Sequence, residues 1–86
     1  MKLIYCQTCN DIVRLTFDKK FCDCKKCFGY YEPDGLHAVI SEYSIPLGIQ
    51  NVSLYFSLAN QPESGLGKRF EAFVIPKQCD TIKVIK

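Results

Sequence analysis

Eighty-six residues, 48% of them hydrophobic and 23% charged, make one folded domain and exclude a disordered tail. At this size an apolar core is marginal without a staple, and six cysteines offer one. The formal charge of +2 names no partner, and no apolar run approaches the roughly 18 residues of a membrane span.

Leu3-Ile4-Tyr5 is a short apolar run, read as a strand, that leads into Cys6-Gln7-Thr8-Cys9. Two thiols separated by two residues can turn their sulfurs toward one point at the tip of a tight loop. Asn10-Asp11 then turns the chain. Ile12 to Phe17 alternates, with Val13, Leu15 and Phe17 on one face and Arg14 and Thr16 on the other, the pattern of a half-buried strand. Asp18-Lys19-Lys20 is the turn that returns Phe21 and Cys22 antiparallel to it. That return brings the second cluster, Cys22-Asp23-Cys24-Lys25-Lys26-Cys27, beside the first, in a zinc-ribbon arrangement.

After Tyr30 and Tyr31, Pro33-Asp34-Gly35 is a strong turn signal. His37 to Ile45 is extended in character, and Ser44-Ile45-Pro46-Leu47-Gly48 is expected to break its ladder, because Pro46 lacks a donor. Asn51 is the expected N-cap of the one helix, near 51–60. Val52, Tyr55, Phe56 and Ala59 fall on one face of it, widened by Leu54 and Leu58. Gln61 to Gly67 reads as a polar surface loop. Phe70 to Ile75 carries apolar residues on both faces and reads as a central strand, and Thr81 to Ile85 as a last, short one.

Six cysteines fit either disulfides or a metal. Met1 to Tyr5 leaves no room for the apolar region of a secretory signal, so the expectation is a cytoplasmic protein with reduced thiols and a bound zinc ion. Cys6 and Cys9 are the first two ligands. For the second pair, spacing mildly favours Cys24 and Cys27, a repeated C-x-x-C, while a C-x-C knuckle of Cys22 and Cys24 is also sterically open. Cys79 lies far away in sequence and reads as a structural thiol.

Cys22-x-Cys24 followed by Gly29-Tyr30-Tyr31, Asp34-Gly35-Leu36-His37-Ala38, Ile45-Pro46-Leu47-Gly48, Asn60-Gln61-Pro62-Glu63-Ser64-Gly65 and Phe70 to Pro76 resembles a family of small uncharacterised bacterial and phage zinc-ribbon proteins. The resemblance covers most of the chain. It implies a C-x-C second knuckle, and so the ligand set Cys6, Cys9, Cys22 and Cys24 with Cys27 in reserve. It implies no mechanism. The phage side of it points to an accessory protein that modulates a host protein.

Four thiolates close a coordination shell, whereas a catalytic zinc keeps a position open. The histidine-containing signatures H-E-x-x-H and H-x-E with P-C-x-x-C are absent, and His37, the only histidine, reads as a surface or structural residue. A redox C-x-x-C sits at the start of a helix, and here a strand follows. The sequence therefore points to a non-enzymatic α+β domain: an N-terminal zinc ribbon (1–30) fused to a small, mostly antiparallel sheet with one helix (31–86). Its leading reading is a protein-interaction module with a protein partner. Lys19, Lys20, Lys25 and Lys26, interleaved with Phe21, Phe28, Tyr30 and Tyr31, keep nucleic acid as an alternative. A small anionic ligand or nucleotide held by Gly29-Tyr30-Tyr31, His37, Arg69 and the helix start at Asn51 is a third reading.

Overall fold

Strands dominate residues 1–86, all of which the computed structural model describes. In order they are β1 (Lys2–Cys6), β2 (Ile12–Arg14), β3 (Lys20–Phe21), β4 (Phe28–Tyr31), β5 (Ala38–Ser41) and β6 (Ser44–Ile49), then α1 (Asn51–Ala59), β7 (Ala72–Val74) and β8 (Ile82–Ile85). They form two four-stranded sheets, β2-β1-β6-β7 and β3-β4-β5-β8, giving a small α+β architecture with one short helix. Every pairing is antiparallel except β5 with β8. The expected division after residue 30 falls inside β4, and each sheet joins two strands from the first part of the chain to two later ones.

Several expectations need correction. β2 stops at Arg14, and β3 pairs with β4 instead of returning along β2. Leu15 leaves the ladder to enter the core, while its N–H still donates to the Lys2 carbonyl at 3.1 Å. Residues 44–48 do not break a ladder: they belong to β6, the longest strand. Pro46 is tolerated there because it stands opposite Ile4 on β1 but turns its peptide groups toward the β7 side. Its carbonyl accepts from Ile75 N–H at 2.9 Å, and it has no N–H to return, so the β6–β7 ladder ends at Leu47 and Val74. The real break is the turn at Glu42-Tyr43, where Tyr43 takes φ +73° and passes the chain from one sheet to the other.

The expected central strand Phe70–Ile75 is a three-residue edge strand, β7. Helix α1 is where expected, but its N-cap is Gln50, whose side-chain carbonyl accepts from Ser53 N–H, and not Asn51. Its apolar stripe is not buried: Val52 is 72% exposed and Leu58 63%, while Ser57 is the buried residue. The physical reason lies in the polar side. Ser57 Oγ donates to the Arg69 carbonyl at 2.5 Å, and Ser53 Oγ accepts from Glu71 N–H at 2.9 Å. Gln50 N–H donates to the Glu71 carbonyl at 3.0 Å. The helix is thus tied through its serines to residues 69–71, the segment leading into β7, and the apolar face points out.

The core is correspondingly small. Only 13 of 86 residues are buried, and the contiguous cluster is Ile4, Cys6, Leu15, Cys22, Cys27, Ala38 and Ile40. Three of its seven members are cysteines, so the thiols stand where a larger domain would place aliphatic side chains. No helix is long and apolar enough to cross a membrane.

Candidate metal centre

Each thiol pair sits at the tip of its own hairpin. In the first, β1 delivers Cys6, and the loop to β2 closes when Asn10 N–H donates to the Cys6 carbonyl at 2.8 Å and Cys6 N–H to the Asp11 carbonyl at 2.9 Å. Asn10 takes φ +62°, a conformation asparagine tolerates better than most residues. The backbone N–H groups of Cys9 and Thr8 then point at Cys6 Sγ. In the second hairpin, between β3 and β4, Cys22 N–H donates to the Cys27 carbonyl at 2.9 Å and Lys25 N–H to the Cys22 carbonyl at 3.0 Å. Cys27 N–H reaches Cys22 Sγ at 3.3 Å, and Lys25 takes φ +68°. Asp11 clasps the two tips together, its carboxylate accepting from Asp23 N–H at 2.9 Å.

The sulfurs of Cys6, Cys9, Cys22 and Cys24 consequently lie within 4.8 Å of one another. Cys6 Sγ is 3.7 Å from Cys24 Sγ, and Cys22 Sγ is 3.5 Å from Cys24 Sγ. A tetrahedral ion with metal–sulfur bonds of about 2.3 Å would set its sulfurs about 3.8 Å apart. All six cysteines are free thiols, and these separations are far beyond a disulfide bond. The four residues could hold a metal ion.

The local dipoles also suit thiolates. The Cys9 N–H, aided by that of Thr8, outweighs burial and holds the Cys6 thiol down to about 6. Cys24 goes the other way: Lys26 N–H favours its thiolate, but burial and the neighbouring sulfurs of Cys22, Cys9 and Cys6 push it up to about 12. Four thiolates this close repel one another, and a cation between them removes that conflict.

Cys27 lies outside the four-sulfur set, buried against Cys6; its contribution to the centre is its backbone N–H. Cys79 is remote from the cluster, its sulfur 3.3 Å from Thr81 Oγ1. His37 is paired with Asp34 in the β4–β5 turn, where Asp34 also accepts from the Leu36 and His37 N–H groups. Those three contacts hold the Asp34 carboxyl down to about 2. Arg69 and Gln50 line one cleft beside α1, but Tyr30, Tyr31 and His37 line none, so the residues expected around an anion do not converge. Tyr31 is instead structural, its hydroxyl accepting from Lys2 N–H at 2.8 Å.

The lysine-rich rim is partly assembled. Lys19 Nζ lies 4.1 Å from the Phe28 ring centroid and 5.7 Å from that of Phe21, and these rings pack 5.6 Å apart on the edge formed by β3. Two features escaped the sequence reading: the Asp11 clasp, signalled only by an acidic residue beside the Asn10 turn, and the outward face of α1. No family model, curated protein or solved structure matches this chain.

Proposed function

We propose that this chain is a non-enzymatic protein-interaction module whose two sheets are stapled by a structural zinc ion on Cys6, Cys9, Cys22 and Cys24. The observation that carries the reading is the four-sulfur cluster itself. Its donors are all soft thiolates, which suit zinc, and four of them complete a tetrahedral shell with no position left for water or substrate. Two knuckles at two hairpin tips support the zinc-ribbon reading. Because one hairpin belongs to each sheet, the ion would join the sheets where the apolar core is too small to do so alone.

The interaction role draws support from the surface. α1 and the following loop expose Val52, Tyr55, Phe56, Leu58 and Leu66, with Leu58 and Leu66 lining one shallow cleft, and exposed apolar residues in this number suit a binding surface. The phage resemblance adds the form of an accessory protein acting on a host protein. A second reading, nucleic-acid binding at the knuckle rim, is favoured by the Lys19 ammonium over the Phe21–Phe28 pair with Lys25 and Lys26 nearby.

Immobilised zinc-loaded protein, exposed to lysate with and without nuclease, separates the two. The first reading expects a stoichiometric protein that survives nuclease and is lost when Phe56 or Leu58 is replaced by Glu. Retained nucleic acid that elutes steeply with salt, and is lost in a Lys25→Ala and Lys26→Ala variant, contradicts it and supports the second.

A further inference from the structure

We infer that the cleft between the two sheets, flanked by their edge strands β7 and β8, binds a medium-chain fatty acid with its alkyl tail between the sheets and its carboxylate on Lys77. The reading stands apart from the interaction-module proposal and from the α1 surface. The cleft continues the core. On one wall Ile40 pairs with Val84 in the β5–β8 register, and Ile82 lies two residues along β8 on the same face. On the other wall Pro46 stands opposite the core residue Ile4, and Ile75 N–H donates to the Pro46 carbonyl at 2.9 Å. Ile40 and Ile75 are buried, yet Val84 is 47% exposed. The facing apolar surfaces thus part beyond the core, and these five residues line a cavity of about 390 Å³. Its walls are fixed. Ala38 N–H donates to the Thr81 carbonyl at 2.9 Å and Glu42 N–H to the Ile85 carbonyl at 2.8 Å, holding β8 along β5 at both ends. Moving β8 to close the gap would break these bonds.

The volume falls within the roughly 300–1,000 Å³ of small-molecule sites. At about 30 Å³ for a group the size of water, it holds about 13 such groups, which a carboxylate on a chain of about ten carbons fills.

Charge names the head group. Of the eleven residues lining the cavity, Lys77 is the only charged one. Glu42 and Asp80 are close to it in sequence, beside Tyr43 and Cys79, but neither lines it. Lys77 has no ion-pair partner, since His37 with Asp34 is the only ion pair in the chain. Gln7, in the first knuckle, adds an amide N–H to the same cavity. A cationic ligand would find no partner here, and a phosphate or nucleotide would leave the apolar walls wet. A fatty acid satisfies both the walls and the ammonium.

The test is isothermal titration calorimetry of the zinc-loaded full chain with hexanoate, octanoate, decanoate and dodecanoate below their critical micelle concentrations, with 1-octanol as the uncharged comparison. Methyl and amide NMR shifts locate the site. The expected result is an affinity that rises up to about fourfold with each added methylene and levels off near about ten carbons, where the cavity is full. Octanoate binds more tightly than 1-octanol, and the shifts centre on Ile40, Ile75, Ile82 and Val84. Lys77→Met weakens octanoate about three- to fivefold and leaves 1-octanol unchanged. Val84→Phe, which fills the cleft from an exposed position, weakens both at least about tenfold. Unchanged circular dichroism and metal content show that each variant is folded. No binding by any of the four acids overturns the proposal. So does an affinity indifferent to chain length or to Lys77→Met, and so do shifts that centre on α1. If no acid binds and Val84→Phe abolishes capture of a protein from lysate, the cleft docks a peptide and the fatty-acid proposal fails.

Discussion

Gly29 on β4 sits where the packing around the thiol cluster has no slack. A Cβ placed there would lie 2.8 Å from Leu15 Cδ2, 3.2 Å from the Val39 carbonyl oxygen and 3.3 Å from Ile40 Cγ2. Leu15 and Ile40 are buried, and the Val39 oxygen belongs to the backbone of β5, so none of the three can simply move aside. Overpacking of this kind costs about 1–3 kcal/mol, while removing glycine's freedom in the unfolded chain offsets about 0.4–1 kcal/mol. Gly29→Ala is therefore expected to destabilise by about 1–2 kcal/mol, which in a domain of this size lowers Tm by about 5–15 °C. Thermal unfolding followed by circular dichroism, with zinc held at one excess concentration, measures it. Gly67→Ala, where the added methyl meets open space, serves as the control and is expected to shift stability by no more than about 1 kcal/mol, upward. In a Leu15→Ala background the closest clash is gone, and the cost of Gly29→Ala should shrink by about 1 kcal/mol. A Gly29→Ala protein as stable as the parent, or a cost undiminished in the Leu15→Ala background, would refute this account of the core.

Ile4→Ala removes one of the two largest fully buried side chains, the other being Ile40, and should cost about 2–5 kcal/mol in the same assay. Cys79→Ser, remote from the cluster, should leave the metal content per chain unchanged by elemental analysis; loss of metal would show a wrong ligand set. Asp34 is held down to about 2 from its ordinary value near 3.8, so its turn contacts stabilise the fold above about pH 4 and fade as pH falls toward 2. Asp34→Asn should thus be less stable than the parent at neutral pH, with the gap closing between about pH 4 and 2. Comparing the two proteins at each pH cancels the shared titration of the thiols, and a gap independent of pH would contradict the assignment.

What was legible in the sequence followed from local chemistry. The C-x-x-C spacing leads to Cys6 and Cys9, whose sulfurs lie beside those of Cys22 and Cys24, although spacing alone mildly favours Cys24 with Cys27 and the C-x-C pair comes from the family resemblance; the turn residues Asn10 and Gly35 stand in the left-handed region. The helix appears within one residue of its expected start. What failed was inference from pattern to partner. The stripe of Val52, Tyr55, Phe56 and Leu58 has the helical period, but periodicity says only that a face is apolar, not that this chain covers it. The two apolar faces of residues 70–75 suggested a central strand, yet no strand pairs with the outer side of β7, and the missing N–H of Pro46 ends its ladder with β6 after three residues. Strand pairing at long range was also out of reach. Nothing local to Phe21 distinguishes pairing with β2 from pairing with β4, and the choice decides whether the thiols staple one hairpin or two sheets.

The two-sheet staple is tested most directly by loading the reduced protein with cobalt(II) in place of zinc and titrating to saturation. The absorption then reports coordination number and thiolate count, and circular dichroism is followed in parallel. The account predicts one ion per chain in a tetrahedral four-thiolate site. Cys6→Ser and Cys24→Ser should lose that signature together with strand structure in both sheets, and Cys27→Ser should keep it. A protein that folds fully without metal, or one whose four-thiolate spectrum survives Cys24→Ser and vanishes with Cys27→Ser, would contradict it.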